Sequence, residues 1–340
     1  MVPQIKDAAW LQWMDHLWGT DSPSSARFPS TGFYCLLDEQ PDHLLPRSIF
    51  WDDEGSSAWR INPNCFFAND SQFPSELAED VKTLQPFLSS KKTIWIQDPA
   101  LYAWWPYGLG ETLSSAIESS DETATNGLSR EQQKILSCAS LLLPATEKSW
   151  REKQWNAAIP QAQEYFAANE YVPIRGLIPS FLVAALRRYY RFHIRSGHLK
   201  LGDTQSSRRY IAHNEPVARY FHRQLTYAIS AIAGKPLKPS YVYAGCYQEG
   251  ADLKKHKDRA QCEYSFTFCL DYSPEPENET PWPIHLDTKN GTVTVFQSIG
   301  DALIYRGCQV PHYRHRLQKG HTSTSLFFHY VDEDFLGPLD

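Results

Sequence analysis

Two side chains of metal-binding type stand two residues apart, just ahead of an alternating segment. His256 and Asp258 lie in LKKHKDRAQCEYSFTFCLDY, whose second half alternates large apolar residues with smaller ones. An alternation with period two predicts a half-buried β-strand. Residues i and i+2 of a strand point to the same face, so His256 and Asp258 can converge on one point. A neutral imidazole and a carboxylate together suit Fe(II) or another divalent first-row metal ion.

A metal held by two protein ligands needs a third, and the candidates lie near the end of the chain. The segment DALIYRG, predicted as a strand, runs into CQVPHYRHRL, which contains His312 and His315. Two histidines and one carboxylate form a facial triad that leaves open positions on the metal for a co-substrate and dioxygen. On the residues alone, His312 and His315 are alternatives for the third ligand.

Short strands dominate the last hundred residues. After Pro239, strand patterns occur in SYVYAGCY, EYSFTFCLDY, WPIHL, TVTVF, DALIYRG and STSLFFHYV, with turn residues at 274–276 and at Asn290-Gly291 between them. Strands of this length and spacing predict a β-sandwich or barrel. Ahead of them, 180–195 and 214–233 predict amphipathic helices, and YVPIRGLIP predicts a strand and a turn.

The first 164 residues form a separate region in composition. Segment 111–127 is rich in Ser, Thr and acidic residues and predicts a mobile surface loop or a linker. Ser129 and Gln132 predict a capping box that opens a helix ended by Pro144, and a second helix is predicted over 148–169. The aromatic stretch WIQDPALYAWWPYGLG suits a ligand wall or plain core packing, and we favour core packing. We therefore predict an N-terminal mixed α/β extension over 1–164 and a second domain over 165–340.

Composition excludes several classes of protein. The 340 residues are 42% apolar and 21% charged, as in ordinary soluble globular proteins. The net charge of −6 argues against nucleic acid or an anionic membrane as the main partner. The first residues, MVPQIKDAAWLQWMDHLWG, carry acidic residues and do not predict a signal peptide, and no run approaches the roughly 18 apolar residues of a membrane helix. Seven scattered cysteines without a CxxC pair predict free thiols in a reducing compartment, and hence a cytoplasmic protein.

The second half of the chain resembles the Fe(II)- and 2-oxoglutarate-dependent dioxygenases, nearest to the prolyl 4-hydroxylase and phytanoyl-CoA hydroxylase branches. Three motifs carry the resemblance: HKD at 256–258, the approach Y-x-x-G-x5-H from Tyr247 through Gly250 to His256, and GDALIYRGCQVPH at 300–312. The resemblance covers about residues 165–335. It implies an α+β fold, in which a double-stranded β-helix (a jelly-roll, cupin-like core) is flanked by helices.

The resemblance also implies the chemistry. His256, Asp258 and His312 would bind Fe(II), with 2-oxoglutarate as co-substrate and O2 as oxidant, and Tyr247 would hydrogen-bond 2-oxoglutarate. The product would come from hydroxylation of an unactivated carbon, or from desaturation or cyclisation. Halogenating members of the family lack the carboxylate that Asp258 supplies. His315 would then be a pocket or surface residue, and structural roles are expected for His321 and His329.

The anchor for the 2-oxoglutarate carboxylate is where this sequence departs from the family pattern. The family places a basic residue about ten residues after the distal histidine, and this chain has Thr322 there. Arg314 and Arg316 share a face with His312 if the strand continues, and a guanidinium matches a carboxylate bidentately. We predict that Arg314, or failing it Arg316, supplies the charge, with Thr322 adding a hydrogen bond. Arg259, on another strand, is the alternative.

The sequence thus predicts an oxidoreductase that acts on a small molecule, such as an amino acid or a natural-product intermediate. A hydroxylase of prolyl or other side chains in proteins is the alternative enzyme. A cupin-like metal-binding or sensor protein without turnover is the alternative from another class, and the absence of a basic residue at Thr322 keeps it open. No nucleic-acid or membrane partner is expected, and the sequence leaves the oligomeric state open.

Overall fold

The computed structural model describes residues 32–39, 59–68, 70, 72–88, 92–118, 128–145 and 148–340. The α-helices are α1 (Ala78–Leu84), α2 (Glu111–Glu118), α3 (Arg130–Cys138), α4 (Trp150–Asn169), α5 (Ser180–Arg195), α6 (Pro216–Gln224) and α7 (Thr226–Ala233). The N-terminal strands are β1 (Trp59–Ile61), β2 (Cys65–Phe67), β3 (Lys92–Gln97), β4 (Trp104–Leu109) and β5 (Leu142–Pro144). The later strands are β6 (Tyr171–Ile174), β7 (Lys200–Leu201), β8 (Arg209–His213), β9 (Leu237–Tyr247), β10 (Leu253–His256), β11 (Tyr264–Ser273), β12 (Ile284–Thr288), β13 (Gly291–Val295), β14 (Ala302–Tyr305), β15 (His312–Arg314) and β16 (Thr322–Asp332).

Two antiparallel sheets build the C-terminal half. The larger sheet has the order β6-β14-β11-β16-β9-β8-β7, and the smaller sheet has the order β10-β15-β12-β13. From β9 to β16 the chain passes repeatedly from one sheet to the other, with β10, β12, β13 and β15 in the smaller sheet and β9, β11, β14 and β16 in the larger. This winding is that of a jelly roll, so the prediction of a β-sandwich or barrel is confirmed.

Strand β11 is buried along both faces, so the prediction of a half-buried strand is wrong. Tyr264, Phe266 and Phe268 join the main hydrophobic core beneath the helices. The alternate residues Ser265 and Thr267 are equally buried but point into the space between the two sheets, which is the inside of the jelly-roll barrel. The strand lies in the middle of the larger sheet, between a helical layer and the smaller sheet, and both layers exclude water from it.

A buried carboxylate ties helix α5 to β11. A register shift between Cys269 and Asp271 turns Asp271 toward the helix. Its oxygens accept hydrogen bonds from Arg187 Nε at 3.0 Å and from Arg191 Nε and Nη2 at 2.5 and 2.7 Å. Burial alone would raise the pKa of Asp271, but the two guanidinium groups outweigh it and hold that pKa below its ordinary value.

Most large aromatic residues of the stretch 95–110 are core residues, as the packing interpretation favoured, and Tyr102 is exposed. Trp95, Trp105 and Tyr107 are fully buried on the sheet β2-β3-β4. They belong to the same hydrophobic core as helices α5 to α7 and the outward face of β11, and Trp105 stacks on Phe221 with ring centroids 5.6 Å apart. Helix α4 runs across the predicted boundary at residue 164.

Several local predictions need correction, and others hold. Residues 111–118 of the predicted loop form helix α2, because Leu113 and Ile117 pack into the core, whereas 119–127 lie outside the described residues. The helix capped by Ser129 has the predicted capping box but ends at Cys138, since β5 pairs with β1. The helix predicted over 214–233 is divided at Leu225 into α6 and α7. Helices α4 and α5 and strand β6 confirm the other predictions.

All seven cysteines are free thiols, as predicted. None of the helices in the described parts of the chain combines the length and the apolar character that crossing a bilayer requires.

Candidate metal centre

Neighbouring strand ends bring three candidate ligands together. His256 ends β10 and His312 begins β15, and the two residues are cross-strand partners in the smaller sheet. Asp258 follows two residues after β10, and its backbone N–H donates to the carbonyl of Gly307 at 3.0 Å. The three side chains therefore reach one point from two paired strands and the turn between β10 and β11.

The distances within this triad fit a single metal ion. Asp258 Oδ1 lies 3.7 Å from His256 Nε2 and 3.5 Å from His312 Nε2. One ligand atom from each residue lies within 4.8 Å of the other two. Ligand atoms about 2.1 Å from one ion and at right angles to each other lie about 3.0 Å apart. Small movements of the side chains would therefore give bonding distances.

The backbone fixes both imidazoles in the tautomer that a metal needs. His256 Nδ1 lies 2.7 Å from the carbonyl oxygen of Lys254, and His312 Nδ1 lies 3.1 Å from that of Val310. A carbonyl only accepts, so each Nδ1 carries the proton and each Nε2 presents a lone pair toward Asp258. Burial lowers the pKa of His312, which keeps this imidazole neutral and able to bind a metal.

Asp258 presents its two oxygens to different partners. Oδ1 faces the histidines, whereas Oδ2 accepts a hydrogen bond from Ser265 Oγ at 2.5 Å. Burial alone would raise the pKa of Asp258, but His312, His329 and the Ser265 hydrogen bond bring the pKa below its ordinary value. Asp258 is therefore ionised at neutral pH, and the triad offers two neutral nitrogens and one anionic oxygen.

Arg314 is a buried cation on the same strand as His312. Only 6% of Arg314 is exposed, and its Nη1 donates to the carbonyl of Trp282 while its Nη2 donates to Gln297 Oε1 at 3.3 Å. Within the described part of the chain, no carboxylate lies at ion-pair distance from it, and burial lowers its pKa. Because residues i and i+2 share a strand face, Arg314 and His312 both point into the barrel.

Tyr247 lies across the barrel from Arg314, in the larger sheet. Its ring is fully buried and packs 5.0 Å from the ring of Trp282, over which the Arg314 guanidinium lies at 4.7 Å. The Tyr247 hydroxyl accepts a hydrogen bond from Arg209 Nη1 at 2.8 Å. Unlike Arg314, Arg209 has a carboxylate partner, Asp203. Two buried guanidinium groups thus border this part of the barrel, and only one of them is neutralised by an ion pair.

The structure does not bring Arg316 and Thr322 to this interior. Strand β15 ends at Arg314, so Arg316 leaves the alternation and is exposed beside Gly250. Thr322 pairs with Ser273, whereas the inward position on β16 belongs to Ser323, which pairs with Tyr247. Thr322 therefore points to the opposite face of the sheet, because neighbouring strand residues alternate.

The remaining candidates lie outside the triad. Arg259 is exposed and donates from Nε to Tyr241 Oη at 3.2 Å. His315 is exposed and packs on His285, with ring centroids 4.7 Å apart. His321 Nδ1 lies 2.9 Å from the hydroxyl of Tyr272.

Sequence reasoning missed the groups around Asp258. The sequence presents Ser265 only as one of the small residues of an alternating strand, and it predicts a structural role for His329. His329 also belongs to a second group of potential ligands, with Asp258 and Cys262, whose ligand atoms lie within 4.8 Å of one another. The only sequence signal for these residues is their inward phase on β11 and β16, which becomes informative once the sheet order is known.

Comparison with known proteins gives similarities in fold. No protein-family model and no curated protein matches the sequence. A prolyl-4-hydroxylase from Pseudomonas putida is 18% identical, with 52% of this chain and 99% of that chain covered and a TM-score of 0.42. The non-heme α-ketoglutarate-dependent epimerase SnoN from nogalamycin biosynthesis is 13% identical, with coverage of 52% and 84% and a TM-score of 0.44. A prolyl hydroxylase from Trichoplax adhaerens, in complex with a hypoxia-inducible-factor peptide, is 15% identical, with coverage of 55% and 95% and a TM-score of 0.45. Over about half its length, this chain is thus similar to solved structures of prolyl hydroxylases and of other α-ketoglutarate-dependent enzymes.

Proposed function

We propose that this protein is an Fe(II)- and 2-oxoglutarate-dependent oxygenase that hydroxylates an unactivated carbon of a small molecule. In the overall reaction, R–H, O2 and 2-oxoglutarate give R–OH, succinate and CO2. One observation carries the proposal: a buried arginine, which has no carboxylate partner among the described residues, shares the barrel interior with a triad of two histidines and one aspartate. Desaturation or cyclisation would use the same residues.

The triad suits iron by its donor set and by the state of its donors. His256 and His312 offer unprotonated Nε2 atoms, and Asp258 offers an ionised oxygen. Three protein ligands leave three positions of an octahedral ion open, which is the arrangement of non-heme Fe(II) oxygenases. When bound there, iron chelated by 2-oxoglutarate would supply the activation of O2, and the protein would fix ligand geometry and orient the substrate.

Arg314 would bind the distal carboxylate of 2-oxoglutarate. A buried guanidinium whose partners are a backbone carbonyl and an amide retains an unneutralised positive charge. A carboxylate brought into the barrel needs such a partner, because an unpaired buried charge is costly. The fork of the guanidinium can donate to both carboxylate oxygens. This cation also weakens the alternative of a metal-binding protein without turnover, which depended on the lack of a basic residue at Thr322.

For the substrate we propose a small molecule, on the basis of the sequence. The chain is acidic overall and has no internal repeat, and its sequence shows no obvious edge for peptide binding. A prolyl-type protein substrate stays the alternative, and both substrate classes would require the same Fe(II) and 2-oxoglutarate chemistry.

The test needs no knowledge of the substrate. Purified protein is titrated with Fe(II) and 2-oxoglutarate without oxygen, and a visible metal-to-ligand charge-transfer band is recorded. Zn(II) in place of Fe(II) is the control, because its filled d shell gives no such band. We expect the band with Fe(II) only and, after O2 is admitted, slow release of CO2 from 1-¹⁴C-labelled 2-oxoglutarate. Iron binding without a band and without labelled CO2 would contradict the proposed function.

A further inference from the structure

We propose that Ser265 and His329 form a positioning relay that holds Asp258 as a monodentate metal ligand. The inference rests on the proposed function, since it concerns how the same triad presents its carboxylate. It assigns a role to two residues outside the ligand triad, Ser265 and His329, which are cross-strand partners in β11 and β16.

The direction of each hydrogen bond in the relay follows from the chemistry of the groups. Asp258 Oδ2 lies 2.5 Å from Ser265 Oγ, and Ser265 Oγ lies 3.1 Å from His329 Nδ1. An ionised carboxylate only accepts, so the single hydroxyl proton of Ser265 points to Asp258. His329 Nδ1 must then donate to Ser265 Oγ. Both hydrogen bonds of the relay therefore run in one direction: His329 donates to Ser265, and Ser265 donates to Asp258.

The surrounding structure holds the relay in place. The carbonyl of His329 accepts from His222 Nε2 at 2.7 Å and from Ser240 Oγ at 2.9 Å, and the His329 ring lies 4.6 Å from that of Tyr241. The His329 side chain is thus buried, with 7% of the residue exposed, and its Nδ1 is held within hydrogen-bond distance of Ser265 Oγ.

Gly307 closes the other side of the carboxylate. A Cβ atom at Gly307 would lie 2.3 Å from Ser265 Oγ, 2.6 Å from Asp258 Oδ2 and 2.4 Å from the carbonyl oxygen of Cys262. These separations are shorter than van der Waals contacts, so only glycine lets the backbone approach so closely. Asp258 Oδ2 is consequently held between the backbone of Gly307 and the hydroxyl of Ser265.

The relay would determine how many positions stay open on the metal. With His256, His312 and a monodentate Asp258 as ligands, a bound metal would keep three positions for a chelating co-substrate and O2. A carboxylate bound through both oxygens would occupy one of these three positions, and the chelating co-substrate would then leave none for O2. Ser265 would hold Oδ2 in a hydrogen bond, and His329 would orient the Ser265 hydroxyl. The relay would thereby keep the O2 position open rather than raise the affinity for iron.

Nitric oxide, which occupies the O2 position on Fe(II), provides the readout. Wild-type protein, Ser265→Ala, His329→Leu and His329→Asn are loaded with Fe(II) and 2-oxoglutarate without oxygen, and nitric oxide binding is measured by electron paramagnetic resonance. Asn places an amide donor near the position of Nδ1, so His329→Asn conserves the relay and His329→Leu removes it. Thr324→Val, which removes a buried hydroxyl from the outward face of β16, is the matched control.

We expect Ser265→Ala and His329→Leu to weaken nitric oxide binding about tenfold or more, the effect typical of outer-sphere partners of a metal site. His329→Asn and Thr324→Val should resemble the wild type, and all variants should still show the charge-transfer band. Wild-type-like nitric oxide binding by Ser265→Ala would overturn the inference. If Ser265→Ala does not fold, equal binding by the two His329 variants would overturn it instead. A wild type that shows no charge-transfer band contradicts the proposed function itself, so the two failures are distinguishable.

Discussion

Replacing Arg314 by methionine removes the cation that we assign to 2-oxoglutarate. Methionine keeps much of the volume and none of the charge. Removal of one partner of a buried charge pair costs about 3–5 kcal/mol. At 1.4 kcal/mol for each factor of ten, this corresponds to roughly two to nearly four orders of magnitude in the dissociation constant of 2-oxoglutarate. Fe(II) affinity should change little, since Arg314 is not among the triad's ligands.

The ligand-free stability of this variant should stay near that of the wild type, for two opposing reasons. The carbonyl of Trp282 and Gln297 Oε1 lose their donor, and a buried acceptor without a partner costs about 1–3 kcal/mol. Against this, the variant no longer buries a charge without a counter-ion, which is itself costly. A weaker response to 2-oxoglutarate would therefore report binding and not a general loss of folding.

Two measurements separate these effects. The charge-transfer band gives the dissociation constant directly, and thermal unfolding gives the stabilisation by ligand, about 2.7 kcal/mol at a hundred times the dissociation constant for the wild type. At the same concentration of 2-oxoglutarate, Arg314→Met should gain almost no stabilisation from the ligand. The stabilisation of Arg314→Lys should be intermediate, because lysine keeps the charge but not the fork of the guanidinium. The exposed Arg316→Met is the control. A change below tenfold for Arg314→Met, or a larger one for Arg259→Met, would refute the assignment of the anchor.

Three further predictions concern the triad and the buried ion pair. Asp258→Ala should abolish substrate-independent CO2 release and weaken Fe(II) binding, because the metal loses its only anionic protein ligand; isothermal titration calorimetry and labelled 2-oxoglutarate measure both. His312→Ala should lose Fe(II) affinity while His315→Ala keeps it, as metal analysis after gel filtration would show; the reverse result would make His315 the third ligand. Asp271→Asn should cost about 3–5 kcal/mol of unfolding free energy at neutral pH in urea titrations, because Arg187 and Arg191 lose their shared partner. The folded pKa of Asp271 lies below its unfolded value, so the contribution of Asp271 to the free energy of unfolding is present above about pH 4 and is lost as the pH falls through the folded pKa. The difference in unfolding free energy between the wild type and Asp271→Asn should therefore shrink in acid.

The sequence was informative where the signal is local. Alternation identified β11, β14 and β16, and the spacing of His256 and Asp258 alone suggested a shared ligand point. An alternation of large and small residues does not tell whether one face of a strand or both faces are buried, because that depends on which sheets and helices pack on either side of the strand. The half-buried assignment of β11 failed for this reason. It treated small residues as solvent-facing, although Ser265 and Thr267 face the barrel.

Partners distant in the chain decided the other differences. Leu142 and Leu143 continue a helical pattern after α3, but pairing with β1 draws them into β5. Arg314 and Arg316 would share one face only if the strand continued through both, but β15 has three residues and ends at Arg314. Thr322 occupies the family's position by count, yet its phase on β16 points it away from the barrel. Counting along the sequence cannot detect a strand end or a change of phase, because both arise from pairing with other strands.

The alternation that identified β11 also explains why chemistry is possible inside this barrel. The large residues of the strand, Phe266 and Phe268, pack against the helices and form part of the hydrophobic core. The inward positions are left to Ser265 and Thr267, whose hydroxyls reach Asp258 Oδ2 at 2.5 Å and Tyr305 Oη at 3.4 Å. If the phase of β11 slipped by one residue, aromatic rings would fill the space beside the triad and hydroxyls would enter the core. The hydrophobic core therefore fixes the register that supplies Asp258 with its hydrogen-bond donor, so stability and the geometry of the metal site depend on the same strand phase.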